Sequence, residues 1–380
     1  MSVSLEMGAK QPFKVRMVAR RNRLFAHPRF QYWCARIPGL KRIAKARAGA
    51  MFDLVVGFSY YQVLRAVVDA ELLPVLRDGP LTAAEIAPRI DLSEAATLTL
   101  LRAARSVMLS EEVLPDQWML GEQGAVLVDD LGTQAMVRHH RLLYADGADP
   151  LALLKADRKE PTQLSNYWSY AGALHGTAER GEDTHEYSEL MATSQNFVAN
   201  EVLASFKFPR TGRQLDVGGG HGAFIRRVGA AYPDLQFGLF DLPQVVESGA
   251  RAAAETLGAV RVTAHPGNFF EDAIPEGYDL VSLVRILHDH DDEPAQQLLD
   301  NIRKSLAPGA RLMIAEPMAR VPGAEPMGEA FFGFYLWAMG SGRPRSAEEI
   351  TTMLKRAGFA RIRPVATAQP VIASIIVASA

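Results

Sequence analysis

Leu215-Asp216-Val217-Gly218-Gly219-Gly220-His221-Gly222 is the stretch that decides how this chain folds. Gln214–Val217 predicts a short buried strand, the glycines a tight turn with no Cβ in the way, and Ala223–Ala231 the helix that follows. A second apolar run, Phe237–Phe240, ends in Asp241, where a carboxylate can accept both hydroxyls of a ribose. Strand, turn, helix and acid together predict a nucleoside lying across the turn.

Glycine spacing alone does not choose the ligand, because Gly218, Gly220 and Ala223 also satisfy the G-x-G-x-x-A form of a nicotinamide dinucleotide turn. Asp216 favours S-adenosylmethionine. A carboxylate two residues before the first glycine can face an amino-acid ammonium but repels a pyrophosphate. A bare structural turn is the third reading.

Outward from this motif, residues 201–380 alternate strand and helix. Strands are expected near Gln214–Val217, Gln236–Phe240, Val260–Ala264, Tyr278–Val284 and Arg311–Ala315. Such alternation implies an α/β domain, a doubly wound and mostly parallel Rossmann-like sheet, and Ile362–Thr367 with Val371–Ala378 reads as an antiparallel hairpin completing it. Residues 136–200 are helical and aromatic, suited to covering a pocket; Met191, Phe331 and Tyr335 are the candidate pocket residues. Residues 51–135 read as helices followed by a hairpin within Val113–Val128, a winged-helix order suited to pairing subunits rather than reading DNA. Thr82 with Glu85 forms a capping-box signal, and Ser93 a second helix start.

Residues 1–50 form a basic arm. Residues 1–52 hold twelve Lys or Arg against the single acid Glu6, so a chain of net charge −2 carries +11 there and −13 elsewhere. Cations interleaved with Phe13, Met17, Leu24, Tyr32 and Trp33 suit a partner subunit or anionic lipid. Nucleic acid is not expected, since no second basic patch continues the stripe. The one cysteine, Cys34, excludes an internal disulfide framework, no apolar run reaches membrane-spanning length, and a cytoplasmic protein is expected, with peripheral contact at the inner membrane through the arm.

The fourth sheet strand ends in Val284-Arg285-Ile286-Leu287-His288-Asp289-His290-Asp291, at the carboxyl edge where such sheets bind ligands. His288 is the candidate general base. An alcohol's pKa lies far above that of histidine, so its proton must leave within the transition state to a positioned acceptor. Glu316, at the end of the fifth strand, is expected to orient the imidazole. The cluster His288, Asp289, His290, Asp291 also raises a metal, but acids entering a helix are favourable in themselves, and no metal is expected. Asn268 and Phe269 are placed to meet adenine by hydrogen bond and stacking, with Arg285 nearby and Leu242 beside Asp241. The aromatic run from Phe331 to Trp337 points to a large apolar acceptor if it faces the cleft.

At Leu215–Gly222, Phe240-Asp241-Leu242-Pro243 and Ile286-Leu287-His288-Asp289, the chain resembles the small-molecule O-methyltransferases that include plant caffeate and flavonoid enzymes and acetylserotonin methyltransferase. The resemblance covers roughly residues 50–380. It implies an N-terminal winged-helix-like dimerisation domain, hence a homodimer, and a C-terminal S-adenosylmethionine-binding sheet with the residues matching His288 as base and Glu316 as its aid. Arg20-Arg21-Asn22-Arg23-Leu24-Phe25-Ala26-His27-Pro28, Met51-Phe52-Asp53-Leu54-Val55-Val56-Gly57-Phe58 and Met136-Val137-Arg138-His139-His140 are similar to the purple-bacterial carotenoid branch, which methylates a tertiary hydroxyl of acyclic carotenoids. Two departures are Asn268 and Arg285, where the family often has an acid and a lysine. A third is Pro344, which stands where plant members carry a second catalytic glutamate. Polyketide, phenol and tetrapyrrole acceptors remain open, as do a nicotinamide-dependent oxidoreductase and a ligand-sensing winged-helix regulator.

Overall fold

The computed structural model describes residues 12–168, 195–370 and 372–380. It divides into two units between Val128 and Asp129. In the first, helices Phe13–Ala26, Pro28–Cys34 and Leu40–Asp69 lead to shorter helices at Ala83–Ile86 and Glu94–Ser106. The signals at their starts are used: Thr82 and Glu85 make the reciprocal capping box, and the Ser93 side chain accepts from the Ala96 N–H. A hairpin follows, β1 (Ser110–Leu114) paired antiparallel with β2 (Gln117–Leu120).

Three expectations fail here. Helix Leu40–Asp69 runs through the expected boundary at residue 50, because Ala44-Lys45-Ala46-Arg47-Ala48 are good helix formers and nothing there breaks the chain. The hairpin sits earlier and is shorter than Val113–Val128, since Glu122–Leu127 is a helix. That long helix is also apolar enough by length and composition to cross a bilayer; Gly49, Asp53, Ser59 and Gln62 interrupt the apolar run in the sequence without lowering its average enough.

The second unit is built on a seven-stranded sheet. Its strands are β3 (Gly212–Val217), β4 (Leu235–Asp241), β5 (Val262–Pro266), β6 (Leu280–Val284), β7 (Arg311–Glu316), β8 (Ala360–Val365) and β9 (Ser374–Ser379), in spatial order β5-β4-β3-β6-β7-β9-β8. The first five in this order are parallel, and β9 and β8 pair antiparallel at the edge. β6, Leu-Val-Ser-Leu-Val, is buried at every position, as a strand covered by helices on both faces must be. One core packs Leu298, Leu299 and Ile302 of helix Asp292–Ser305 against Leu283 and Ile314; the other packs Ile225 and Val246 against Leu239 and Met313. Each such fully buried side chain contributes about 1.5–3 kcal/mol. Strand order reverses between β3 and β6, opening a crevice at their carboxyl ends.

Candidate active site

The crevice holds a cavity of about 1350 Å³, its open mouth included. Its floor is the glycine turn. The Gly218 N–H donates to the Phe240 carbonyl at 2.8 Å, tying the ends of β3 and β4 together. Gly218 has φ +69°, a backbone that strains any side chain, and a Cβ there would also push on Ile286 Cδ1 at 2.6 Å.

Gly218, Gly220, Asp241, Leu242, Asn268, Phe269, Arg285, His288 and Tyr335 all line this cavity. The Asp241 carboxylate accepts the Gly220 N–H and the Leu242 N–H, each at 2.7 Å. Burial nonetheless lifts its pKa above the usual carboxylate range. A carboxylate has about four acceptor positions, so both oxygens can still take hydroxyls from the cavity side. Asn268 uses its side-chain oxygen on the Phe270 N–H at 3.0 Å, an Asx turn, which leaves its NH₂ as the end able to meet a base. Arg285 adopts the left-handed backbone at φ +58° while its N–H donates to Ala315, strain of the kind that gathers at sites.

Four expectations need correction or a boundary. Asp216 does not line the cavity. Its register opposite Ser282 places it within the sheet, where the Ser282 hydroxyl donates to Oδ1 at 2.6 Å, and burial pushes its pKa up to about 7. Phe331 stands behind the wall, its ring 5.1 Å from that of His140. Glu316 is buried too, and its Oε2 accepts the His288 backbone N–H at 3.2 Å instead of meeting the ring. Met191 lies outside the described residues.

His288 is fixed from several sides. Besides Glu316 on its N–H, its carbonyl accepts the Arg343 N–H at 2.9 Å, and Phe332 packs with its ring centroid 5.5 Å from the imidazole. Asp289, the next residue, faces the ring with Oδ1 3.2 Å from Nε2. Burial pulls the imidazole pKa down, but the Asp289 charge and hydrogen bond, with Glu316 behind, outweigh it and leave His288 above its ordinary value. Burial pushes Asp289 up, and the His288 contact leaves it below the usual range. Among the described residues His288 Nδ1 and Glu316 Oε1 are buried without hydrogen-bond partners.

The loop bearing Pro344 supports this turn in a way its sequence does not announce. Gly342, at φ +79°, passes so close that a Cβ would meet the His288 carbonyl oxygen at 2.1 Å. Arg345, fully buried, donates to the carbonyls of Leu287 and His290, each at 2.8 Å, and pairs with Asp292. Elsewhere in the cavity lining, the Tyr335 hydroxyl accepts the Trp168 Nε1–H at 2.9 Å and meets His139 Nε2 at 2.7 Å. Burial holds His139 and His140 down at about 4, so both are neutral at physiological pH. The sequence reading weighed Asp289 only as a metal ligand, placed Trp168 and Phe332 only within aromatic segments beside the pocket, and gave His139 no role; the pair His139-His140 in an aromatic segment is the available signal.

No group of three or more His, Cys, Asp or Glu among the described residues is arranged to hold a metal ion. A carboxylate with acceptor positions left open beside a glycine turn and an aromatic wall fits a nucleoside, and a family model for the O-methyltransferase domain matches residues 155–360. The chain belongs to the O-methyltransferase family. It is 38% identical to the demethylspheroidene O-methyltransferase of Cereibacter sphaeroides, over 94% of this chain and 93% of that protein. It is 39% identical to the protein of the same name in Rhodobacter capsulatus, over 90% and 84%. Among solved structures it superposes on the calicheamicin-biosynthesis methyltransferase CalO1 in its SAH-bound form with TM-score 0.73 and 26% identity, covering 88% of this chain and 98% of that one. Human N-acetylserotonin methyltransferase in complex with SAM, 22% identical with TM-score 0.70 over 88% of this chain and 97% of that one, shares the fold. This methyltransferase therefore uses S-adenosylmethionine as its donor.

Proposed function

We propose that this methyltransferase acts on a hydroxyl of a large apolar molecule, the tertiary hydroxyl of an acyclic hydroxycarotenoid, with His288 as general base. The observation that carries this reading is the position of His288: buried, raised in pKa, and facing a cavity walled by Trp168, Ile286, Phe332, Tyr335, Leu336 and Met339. The names of the two bacterial relatives point to the same acceptor class.

Asp241, the Gly218–Gly220 backbone, Leu242, Phe269 and Asn268 would hold S-adenosylmethionine, which when bound supplies an electrophilic methyl on sulfur. The chain's own residues do the rest. The apolar walls exclude water from the acceptor oxygen. His288 takes the hydroxyl proton as the oxygen attacks, and Asp289 stabilises the imidazolium that forms. Glu316, Arg343 and Arg345 hold the backbone of the 287–290 turn so that the ring stays on line. Tyr335 is a positioning residue: with Trp168 and the Nε2–H tautomer of His139 both donating to its oxygen, its own proton is free to grip the acceptor oxygen. The N-terminal region pairs two copies of the chain, and the enzyme works in the cytoplasm.

Incubation with labelled methyl donor and a panel of hydroxycarotenoid, phenolic, polyketide and tetrapyrrole acceptors tests this. Label in the carotenoid alone is expected. Label confined to another acceptor class would overturn the carotenoid assignment while leaving the base in place.

A further inference from the structure

The cationic stretch that opens the described chain has no part in the reaction above. We propose that residues 12–47 form a docking surface for an anionic lipid bilayer, lying in the plane of the headgroups. Eleven Lys and Arg stand between Lys14 and Arg47, with no acid among residues 12–52, and no residue from 12 to 66 is buried.

The first helix has the required pattern. On Phe13–Ala26, positions 13, 17 and 24 fall within one narrow arc of a 3.6-residue helix, and Phe13, Met17 and Leu24 are all exposed, Phe13 at 70%. Arg16, Arg20 and Arg23 flank this strip on one side and Lys14 and Arg21 on the other. An apolar strip edged by long cations lets ring, thioether and aliphatic groups enter the acyl boundary while the charges stay at the phosphates. The next helix, Pro28–Cys34, exposes Tyr32 and Trp33, whose amphipathic rings suit that depth. Phe25 stacks on Phe30, Arg47 lies over Phe25 and Arg36 over Tyr32, which joins the helices into one cationic surface.

Other occupants satisfy only half of this pattern. A second copy packed arm against arm would bring eleven like charges against the first, with no acid in residues 12–52 to pair them. Nucleic acid would meet the charges but leave Phe13, Met17, Leu24 and Trp33 in water. An anionic bilayer takes both. By contrast residues 48–64 hold no cation and a single acid, Asp53, and expose Met51, Phe52, Leu54 and Val55, a mostly apolar surface suited to subunit pairing. The assignment rests on charge and exposure and is independent of the acceptor's identity.

Full-length protein is pelleted with phosphatidylcholine vesicles, with and without phosphatidylglycerol, at low and high salt. Binding is expected only to the anionic vesicles and to weaken with salt. Arg16→Gln/Arg20→Gln/Arg23→Gln is expected to lower vesicle affinity at least about tenfold, given the attraction of each cation to an anionic surface. Phe13→Ser/Met17→Ser/Leu24→Ser is expected to lower it as well, and calorimetry with S-adenosylhomocysteine should find cofactor affinity unchanged in both variants, showing them folded. Equal pelleting with neutral vesicles, or unchanged binding of both triple variants, overturns the proposal. Retention of duplex DNA without vesicle binding does so too, as does an effect of the triple variants on oligomeric mass alone. Because the readout is binding, a wrong acceptor assignment cannot mimic any of these results.

Discussion

Replacing Tyr335 by Phe removes one oxygen and separates a positioning role from simple packing. The ring, 7% exposed, stays packed against Phe331 and Phe332, so the cavity wall remains filled. Two hydrogen bonds disappear, from Trp168 at 2.9 Å and with His139 at 2.7 Å. Leaving the buried His139 nitrogen unpaired costs about 1–3 kcal/mol, while half-buried Trp168 can turn to water. For a domain of this size that lowers Tm by roughly 2–10 °C. Toward the acceptor oxygen the variant forgoes one neutral hydrogen bond, about 0.5–1.5 kcal/mol, or about two- to twelvefold in kcat/KM for the acceptor. Steady-state kinetics with each substrate varied in turn, with calorimetry for the cofactor and a thermal melt, reads all three quantities. The cofactor Kd should not move. A cofactor Kd that shifts by the same factor as acceptor kcat/KM refutes the positioning role, and an unchanged Tm refutes the hydrogen bonds themselves.

Other substitutions probe the remaining parts of the site. Asp241→Asn weakens the hydrogen bonds to Gly220 and Leu242 and the diol contact together; cofactor Kd is expected to rise about tenfold to a hundredfold, and an unaltered Kd by calorimetry would contradict the ribose role. In the pH–rate profile, activity should fall as pH drops below a His288 pKa that lies above its ordinary value, and Asp289→Asn should move that acid limb to lower pH, since burial is then less opposed; a limb that stays put removes Asp289 from its role. Asp216 stands at about 7 when folded, so its neutral form stabilises the fold below about pH 4 and that contribution is lost as pH climbs to about 7. Asp216→Asn should therefore gain stability over the wild type above pH 7, by about 4 kcal/mol at most, with no gain below pH 4; urea midpoints showing the same difference at both ends would dismiss the buried charge.

Much of the second unit is legible because local signals and tertiary demands agree. The Leu215–Gly222 turn, the apolar run of β6 broken only by Ser282 and the acid that ends β4 specify strand, switch point and ligand face without help from distant residues. What escapes depends on register and on chain remote in sequence. Asp216 reads as a ligand to an ammonium, but pairing with Ser282 turns its side chain into the sheet. Glu316 reads as a partner of the imidazole, but a carboxyl reaching across from β7 meets the main chain first. The support that Arg345 gives the 287–290 turn spans more than fifty residues of sequence, and no periodicity or spacing reports it. Likewise the boundary expected at residue 50 rested on charge, whereas helix continuity is governed by the residues around Ala48, which favour one unbroken helix.

The central claim is that the imidazole of residue 288 receives the acceptor's proton. His288→Ala, assayed with calorimetry for S-adenosylhomocysteine and single-turnover methyl transfer, tests it most directly. Cofactor affinity close to the wild type with methyl transfer slowed about 10²- to 10⁴-fold is the result expected. Transfer at the wild-type rate, or loss of cofactor binding in parallel with turnover, would contradict it.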